Sequence, residues 1–459
     1  MDRRKFLAGT VTAGLGSLAF SNSVLSQEDI ATKRKNKFRL DMDAATADGE
    51  FPFEKAEYLQ RTEKTRQLMR KQGINTLYVT SPEGMCYYTG YTATWYRGQS
   101  SSKWPALAVV VIHVDHDEPL HYDTEYEDYV HKATSVFDTQ VWIPDEFMET
   151  GGGAQGGIEF ILKDLKQRGW LKGRVGMELL SHVPNPVVSQ QIRGGIEASG
   201  AEVVDSSLLI RGVRRVKSAR EILYTEQAAK IADIGFAAIR DHFYPGVTPL
   251  ELHGVAIQAM LAAGGELPGL NQGVISGPLA AAHAYSSRRP IEKGESFAVD
   301  LSGVVNRYHA NICRSFVAGD PSEETLKMSQ SSGNGIRLLC EHAKAGRKVS
   351  EVAKLIKQSY EEAGVWGDKH FVGGYELGLA FPPDWVGEWL FDLSAANSDD
   401  IFEENVVTNF ESVFAGLDNG LIALLTLRPA IGVNIDTIIY GKEKSRSLSQ
   451  LDFMPIVVG

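Results

Sequence analysis

Residues 297–316 read FAVDLSGVVNRYHANICRSF, an apolar stretch that carries Asp300 and, eleven positions later, Asn311. The pattern is typical of one wall of a site for two metal ions, in which both positions hold carboxylates. A carboxylate can bridge two divalent cations because it has a full negative charge and two oxygens, whereas an amide offers one neutral carbonyl. Asn311 therefore argues against catalysis by a metal pair.

Length and charge narrow the class of protein. The chain has 459 residues and 43% hydrophobic content, which predicts a large core and two or three domains. Its net charge of -11 comes from 58 acids against 47 bases without a long basic run, which argues against nucleic acid and membrane partners. The three cysteines, Cys86, Cys313 and Cys340, are far apart and fit neither a disulfide framework nor a zinc site.

The N-terminus has the features of an export signal. Arg3 and Arg4 precede a weakly apolar, Gly- and Ala-rich run, and small residues continue to Ser26. This predicts a twin-arginine signal peptide over residues 1–26 and a periplasmic or secreted protein. The apolar run is shorter than the roughly 20 residues that a membrane span needs. The alternative is a cytoplasmic protein with a chance arginine pair, and residues 27–54 are predicted to form a polar arm.

Helical and strand patterns alternate over residues 55–212. An amphipathic helix ends at Gly73, and a buried strand at 74–80 follows it. Further strands are predicted at 106–112, 174–178 and 201–204, with a helix at 157–168 before the second of them. This alternation predicts an α/β domain.

Residues 213–459 are predicted to form an α+β domain, with helices first and the sheet later. Ser218 with Glu221, and Thr248 with Glu251, have the spacing of capping boxes that begin two helices. Ser350 is predicted to cap a later helix. Short apolar runs with β character then follow, at residues 405–414, 421–427 and 432–440.

Several of these segments resemble the creatinase and prolidase superfamily, the pita-bread hydrolases, over nearly the whole mature chain. SPEGMCYYTGY at 81–91 is similar to a strand end in the family's N-terminal domain, and RRVKSAREI at 214–222 to its interdomain connection. The resemblance implies an α/β creatinase-type N-terminal domain, an α+β pita-bread catalytic domain and a homodimer.

The family's peptidases hold two metal ions with Asp, Asp, His, Glu and Glu. The resemblance places Asp300, Asn311, Tyr375, Glu411 and Asp436 at these positions, and the last is only the nearest carboxylate where one residue is deleted. At most three carboxylates, an amide and a phenol would face a charge of +4 on two divalent ions. No cofactor is therefore expected, and one divalent metal ion is the alternative.

The sequence is also similar to the metal-free branch of the family, which includes creatinase and ectoine hydrolase. GGYELGLAFPPDWVGE at 373–388 resembles a turn of the ectoine hydrolase branch, as does RYHA at 307–310 together with Arg314. His283, in GPLAAAHAY at 277–285, matches the superfamily's active-site histidine. The resemblance assigns it as the acid and base, and a core histidine is the alternative.

Three further residues are predicted to act with His283. Asp300 and Glu411, the latter also predicted as a catalytic residue, would hold a cationic substrate, or would be a vestigial pair neutralised by Arg314 or by shared protons. Tyr375 would stabilise a developing oxyanion as a catalytic residue, or would be a packed aromatic.

The remaining predicted substrate contacts lie around this centre. Asp384 and Glu388 would form one lip of the pocket for an organic cation, with a structural turn as the alternative. Trp95 and Arg97 are placed like the segment that creatinase-type dimers insert into the partner's cavity. Arg314 and His309 complete the predicted set.

Together these features predict a hydrolase that cleaves a C–N bond in a small amidine, amide or dipeptide-like substrate. Two alternatives remain open at this stage. One is a Xaa-Pro peptidase with an altered, mononuclear metal site, and the other is a solute-binding pseudoenzyme without turnover. Lyase chemistry with the same base also remains open.

Overall fold

The computed structural model describes residues 51–96, 106–144, 154–280, 282–395, 400–416 and 430–459. The predicted signal peptide, most of the predicted arm, Arg97 and the apolar run at 421–427 lie outside these ranges. Among the described residues, no helix is both long enough and apolar enough to cross a bilayer.

The N-terminal half is built on a six-stranded mixed sheet with the order β4-β3-β2-β1-β5-β6. Its strands are β1 Thr76–Val79, β2 Val109–His113, β3 Leu120–Thr124, β4 Gln140–Ile143, β5 Arg174–Met177 and β6 Glu202–Asp205. Its helices are α1 Lys55–Gln72, α2 Pro82–Thr89, α3 Asp128–Thr134, α4 Gln155–Arg168, α5 Pro186–Ala198 and α6 Ser207–Gly212. The alternation of helices and strands predicted an α/β domain, and the sheet confirms that class.

Local sequence explains why this half begins as it does. Helix α1 ends at Gly73, which adopts a left-handed conformation with φ 67° that glycine reaches without strain. Strand β1 follows and is buried along its whole length, because β2 flanks it on one side and β5 on the other. Ser81 then caps α2 by accepting a hydrogen bond from the backbone N–H of Gly84.

The C-terminal half is built on a nine-stranded sheet. Seven of its strands follow the order β11-β10-β12-β13-β9-β8-β7, and the other two, β14 and β15, pair with β13 and β9. Its strands are β7 Val274–Ser276, β8 Ser296–Val305, β9 Tyr308–Ala318, β10 Lys369–Tyr375, β11 Leu390–Asp392, β12 Val407–Ala415, β13 Ile431–Ile439, β14 Arg446–Ser447 and β15 Ile456–Val458. Its helices are α7 Ala219–His242, α8 Pro249–Ala262, α9 Glu323–His342 and α10 Val349–Glu362.

The stretch at 297–316 forms the hairpin of β8 and β9, the longest strand pairing in this sheet. The two-residue turn consists of Asn306 and Arg307, with φ of 49° and 64°. Positive φ at both central residues is the geometry of a type I′ turn, whose twist matches that of the two strands. The register runs from Val305 opposite Tyr308 to Ser296 opposite Val317.

All four helices of this half pack on one face of the sheet and leave the opposite face for the site. Helix α7 lies on β8 and β9, with α8 against it, and α9 lies on β12 and β13, with α10 against it. The closest approach is at Gly303 in β8, where a Cβ atom would meet the backbone carbonyl of Ala228 in α7. Glycine at 303 is therefore required for this helix to lie close to the sheet.

The helix starts were predicted more accurately than the order of elements. Both capping boxes are confirmed, at Ser218 and at Thr248. The cap at Ser350 is wrong, because α10 already begins at Val349 and its extended N-cap residue is Lys348. The order of helices first and sheet later is also wrong, since β7, β8 and β9 precede α9. A short, continuous apolar run cannot be assigned to a buried strand by periodicity alone, because a buried helix segment has the same pattern.

Replacing Gly303 by alanine should destabilise the protein by about 1–3 kcal/mol, because the added methyl group would force α7 away from β8. Gly254→Ala in α8 is the matched control: a Cβ there meets nothing, so stability should stay equal or rise by up to about 1 kcal/mol. Chemical denaturation of both variants measures the difference. Equal stabilities would contradict the close packing of α7 on β8.

Candidate active site

Four strands place Asp300 and Glu411 on the same face of the nine-stranded sheet. Glu411 in β12 lies opposite Ile435 in β13, Ile435 lies opposite Cys313 in β9, and Cys313 lies opposite Asp300 in β8. Residues directly opposite one another on neighbouring strands point to the same face. The two carboxylates therefore face the side of the sheet that carries no helices.

Two asparagine amides connect these carboxylates. The side-chain amide nitrogen of Asn311 donates to the Oδ1 atom of Asp300 at 2.7 Å. The amide nitrogen of Asn409 donates to Glu411 Oε1 at 2.8 Å and to Asn311 Oδ1 at 3.3 Å. Asn409 also accepts the backbone N–H of Tyr375 at 2.9 Å. The result is a continuous Asp300–Asn311–Asn409–Glu411 network.

Burial raises the pKa values of both carboxyl groups. The pKa of Asp300 is raised to about 7, first by burial and then by the nearby negative charge of Glu411, against the hydrogen bond from Asn311. The pKa of Glu411 is also raised by burial, although the amide of Asn409 and the positive charge of His283 oppose the shift. Near neutral pH Asp300 is thus poised between its neutral and its ionised form.

Tyr375 lies beside Glu411 at the end of β10. Its hydroxyl accepts a hydrogen bond from Trp385 Nε1 at 3.0 Å. The pKa of Tyr375 is raised well above its usual value, first by burial and then by the charge of Glu411, with which it also shares a hydrogen bond. Tyr375 is therefore a neutral phenol that can donate its proton to an acceptor in the site.

His283 lies on the connection between β7 and β8 and is exposed. It is close enough to Glu411 for its charge to lower the pKa of that carboxyl group. No hydrogen bond holds its ring among the described residues. An exposed imidazole next to a buried carboxylate can exchange protons with water or with a bound ligand.

The surface of the sheet between these polar groups is apolar. Cys313, Val413, Val433 and Ile435 form a buried cluster on this face, together with Ala280, Ala298, Ala415 and Ile431. Ile435 stands in register between Cys313 and Glu411. An aliphatic side chain there supplies no ligand atom to a cation.

Arg314 and Asp436 are corrections to the predicted site. Both are fully buried on the opposite, helix-covered face, where they form an ion pair at 2.7 Å. Arg314 also donates to the backbone carbonyls of Ile435 and Cys313. Neighbouring residues of a strand point to opposite faces, so the shift of one position between Ile435 and Asp436 removes this carboxylate from the site. Arg314 therefore neither contacts substrate nor neutralises Asp300 and Glu411.

His309 is a further correction, because both of its ring nitrogens are occupied. Nε2 accepts the backbone N–H of Gly269 at 2.9 Å, and Nδ1 contacts the carbonyl of Arg307 at 2.8 Å. Burial lowers the pKa of His309 to about 3. The ring is therefore neutral and structural, and it lies 6.2 Å from the ring of Trp385.

The predicted lip residues are exposed and lie on the turn after β10. Asp384 accepts the backbone N–H groups of Trp385 and Val386, which closes the turn. Glu388 forms an ion pair at 2.8 Å with Arg211, which belongs to the N-terminal half. Their predicted contact with substrate stays a prediction.

Trp95 is 52% exposed at the edge of the described segment that leads to Arg97. Its neighbour Tyr96 donates a hydrogen bond to the carbonyl of Pro382 in the same chain. The predicted insertion of this segment into a partner stays a prediction.

These residues do not fit the pair of metal ions that the family's peptidases hold. The Asn311 and Asn409 amides direct nitrogens at the two carboxylates, Ile435 lies between them, and Asp436 faces away. Within the described ranges, no group of three or more His, Cys, Asp or Glu side chains could hold a metal ion.

Sequence reasoning missed Asn409, Trp385 and Ile435. Asn409 lies two positions before Glu411, so the period of two in a strand could have placed it on the same face. Trp385 is 3% exposed and reaches Tyr375 only through the turn at 382–383, where a cis peptide joins two prolines. No periodic signal in the sequence indicates that contact.

Asp300→Asn should remove a pH-dependent loss of stability. A carboxyl group whose pKa rises from about 3.9 in the unfolded chain to about 7 in the folded protein stabilises the fold below the lower value and ceases to do so as pH rises through the higher value. The melting temperature of the wild type should therefore fall by several degrees relative to Asp300→Asn between pH 5 and pH 8. The surface variant Glu362→Gln is the control. A melting-temperature difference between wild type and Asp300→Asn that stays constant across this range would contradict the raised pKa of Asp300.

Arg314→Met should destabilise the fold by about 3–5 kcal/mol, because it leaves Asp436 buried without its partner. The double variant Arg314→Met with Asp436→Leu should recover most of that loss, since no charge is then left buried. Urea denaturation of both variants measures the recovery. A single variant of unchanged stability would contradict the contribution of the buried Arg314–Asp436 pair to the fold.

Two family models match the chain in succession. The Creatinase/Prolidase N-terminal domain matches residues 61–216, and Metallopeptidase family M24 matches residues 224–439. The two matches coincide with the two halves that carry the six-stranded and the nine-stranded sheets.

Individual relatives and a solved structure agree with these matches. Ectoine hydrolase from Halomonas elongata is 26% identical over 374 residues, which cover 78% of this chain and 89% of that protein. Creatinase from Bacillus sp. strain B-0618 is 23% identical over 343 residues, covering 71% of this chain and 76% of that protein. The crystal structure of prolidase from Pyrococcus horikoshii OT3 superposes with a TM-score of 0.68 at 20% identity, over 86% of this chain and 99% of that chain.

The relatives are hydrolases, and the shared architecture is a creatinase-type domain followed by a pita-bread domain. The chain therefore belongs to the creatinase/prolidase superfamily.

Proposed function

We propose that this protein hydrolyses a carbon–nitrogen bond in a small amidine, amide or dipeptide-like compound without a pair of metal ions. The observation that carries the proposal is the amide network that links Asp300 to Glu411 where a metal pair would need further carboxylates. The similarity to an ectoine hydrolase and to a creatinase supports a small substrate rather than a polypeptide.

The carboxylates would bind the positive end of the substrate. Two acids with raised pKa values attract a cation, because its charge relieves their mutual repulsion and restores their ionised forms. A guanidinium, amidinium or ammonium group can donate hydrogen bonds to both acids. Burial strengthens this interaction relative to water.

His283 would move the protons. Its exposed imidazole removes a proton from a water molecule, whose oxygen attacks the carbon of the C–N bond. As that bond breaks, the imidazolium returns the proton to the leaving nitrogen, so atoms and charge balance over the cycle. Such proton transfer typically contributes about 100- to 10,000-fold to the rate.

Tyr375 would stabilise the negative charge that develops on the attacked group. Its hydroxyl already accepts a hydrogen bond from Trp385, which leaves its own proton for donation. Glu411 shares that proton in the free protein. When the substrate cation engages Glu411, the proton of Tyr375 can turn to the substrate oxygen or nitrogen.

The cellular location and the oligomeric state of the protein are also proposed. The arginine pair at 3 and 4 supports export through the twin-arginine pathway, so the enzyme would act in the periplasm or outside the cell. The exposed Trp95, placed like the inserted segment of creatinase-type dimers, supports a homodimer. Size measurement of the purified protein and cell fractionation test these two points.

His283→Ala should lower kcat on the turned-over substrate by about 100- to 10,000-fold. Creatine, ectoine, simple amidines and Xaa-Pro dipeptides form the substrate screen. His370→Ala is the matched control, since His370 is also exposed but lies near the start of β10, away from Tyr375 at the end of that strand. Equal activity of wild type and His283→Ala would refute the role of the imidazole, and binding without turnover of any compound would favour a solute-binding protein.

Metal dependence separates this proposal from a Xaa-Pro peptidase with one metal ion. Activity should survive dialysis against a chelator, and the purified protein should contain well below one divalent ion per chain. Asn311→Asp with Ile435→Glu adds carboxylates at two places on the same wall and should raise metal content relative to the wild type. Activity that is lost on chelation and restored by one metal equivalent would favour the peptidase.

A further inference from the structure

A polar cavity lies between the two halves of the chain and is lined in part by the turn after β10. Its volume is about 440 Å³, within the range of small-molecule sites. Ser81, Glu83 and Glu178 line it from the N-terminal half, and residues 376–388 line it from the C-terminal half. Asp300, Asn311, Glu411 and His283 do not line it, whereas the predicted lip residues Asp384 and Glu388 do, so it borders the candidate active site without containing the carboxylate pair.

The connecting segment at 211–217 contributes three bases to this cavity, and two of them are paired. Arg211 forms an ion pair with Glu388 at 2.8 Å. Lys217 forms a buried ion pair with Glu376 at 2.6 Å and donates to the carbonyl of Arg215. These pairs join the two halves and neutralise both bases.

Arg214 is the third base, and it has no ion pair among the described residues. Its Nη1 atom is buried and has no hydrogen-bond acceptor in the part of the chain that the structure describes. An unpaired buried guanidinium nitrogen is costly, which indicates that an acceptor is missing there.

Glu83 supplies the opposite charge. Its Oε1 atom accepts the backbone N–H of Phe381 at 3.2 Å, its own backbone N–H also bonds to the carboxylate, and no described side chain forms an ion pair with it. Burial raises the pKa of Glu83, and the charge of Arg214 only partly opposes this. The carboxyl group therefore lacks the close cation that would hold it fully ionised.

We propose that this cavity binds a small zwitterion of the amino-acid type, with its carboxylate on Arg214 and its ammonium group on Glu83. A bidentate guanidinium–carboxylate contact suits the first group, and a charge-assisted hydrogen bond suits the second. The neighbouring Leu377, Leu379 and Phe381 would contact an apolar side chain.

Trp385 connects this cavity to the active site. It lines the cavity, and its indole Nε1 donates to the hydroxyl of Tyr375 at 3.0 Å. A ligand that shifts the turn at 382–385 would change the hydrogen bond on Tyr375. Binding of an amino acid in this cavity would therefore change the hydrogen bonding of Tyr375 in the candidate active site.

Isothermal titration calorimetry with three matched probes tests the proposal on the full chain. L-leucine carries both charges, 4-methylpentanoate only the carboxylate and 3-methylbutylamine only the ammonium group. L-leucine should bind at least about tenfold more tightly than either fragment, since it alone satisfies both Arg214 and Glu83. Arg214→Gln and Glu83→Gln should each weaken leucine binding at least tenfold.

Arg215→Gln is the control variant, because Arg215 pairs with Glu403 at 2.9 Å and does not line the cavity. Its affinity for leucine should equal that of the wild type, and unfolding midpoints without ligand verify that each variant folds. Leucine binding that survives Arg214→Gln, no leucine binding at all, or equal affinity for 4-methylpentanoate would overturn the proposal. The same titration with His283→Ala keeps this result independent of the proposed catalysis.

Discussion

Two half-buried carboxylates on one wall need hydrogen-bond donors from the protein, because solvent reaches them only in part. In this protein the Asn311 and Asn409 amides provide that stabilisation, and together they span the distance from Asp300 to Glu411. Amide donors carry no full charge, so the negative charge of Glu411 still adds to burial in raising the pKa of Asp300, while burial raises the pKa of Glu411. In the proposed function this negative charge attracts the cationic end of the substrate, and the raised pKa of Asp300 makes the pair sensitive to pH.

The scaffold holds that wall rigid from behind. The type I′ turn at 306–307 sets the register of β8 and β9, and that register places Asp300 opposite Cys313. Helix α7 can lie close to the hairpin because residue 303 is glycine. The buried Arg314–Asp436 pair stabilises the same strands on the helix-covered face. Catalytic face and structural face thus share the same strands, divided by the alternation of side chains.

Most of the site on the strands could be predicted, whereas the site on the loops could not. Asp300, Asn311 and Glu411 follow from motif spacing because strands preserve spacing along the chain. The misplaced Asp436 shows the limit: a shift of one residue turns a side chain to the other face, and the motif alone does not reveal the shift. Trp385 and its contact with Tyr375 depend on a turn that no periodic pattern describes.

The sequence by itself determined the two-part architecture, the capping boxes at Ser218 and Thr248, and the shortage of acidic ligands, since each depends on local residue type and spacing. The tertiary structure alone decided that Ile435 rather than Asp436 faces Glu411, that both nitrogens of His309 are occupied, and that the Nη1 atom of Arg214 finds no acceptor among the described residues. These outcomes depend on which distant groups meet across strands and between the two halves, and such contacts are fixed only when the chain packs.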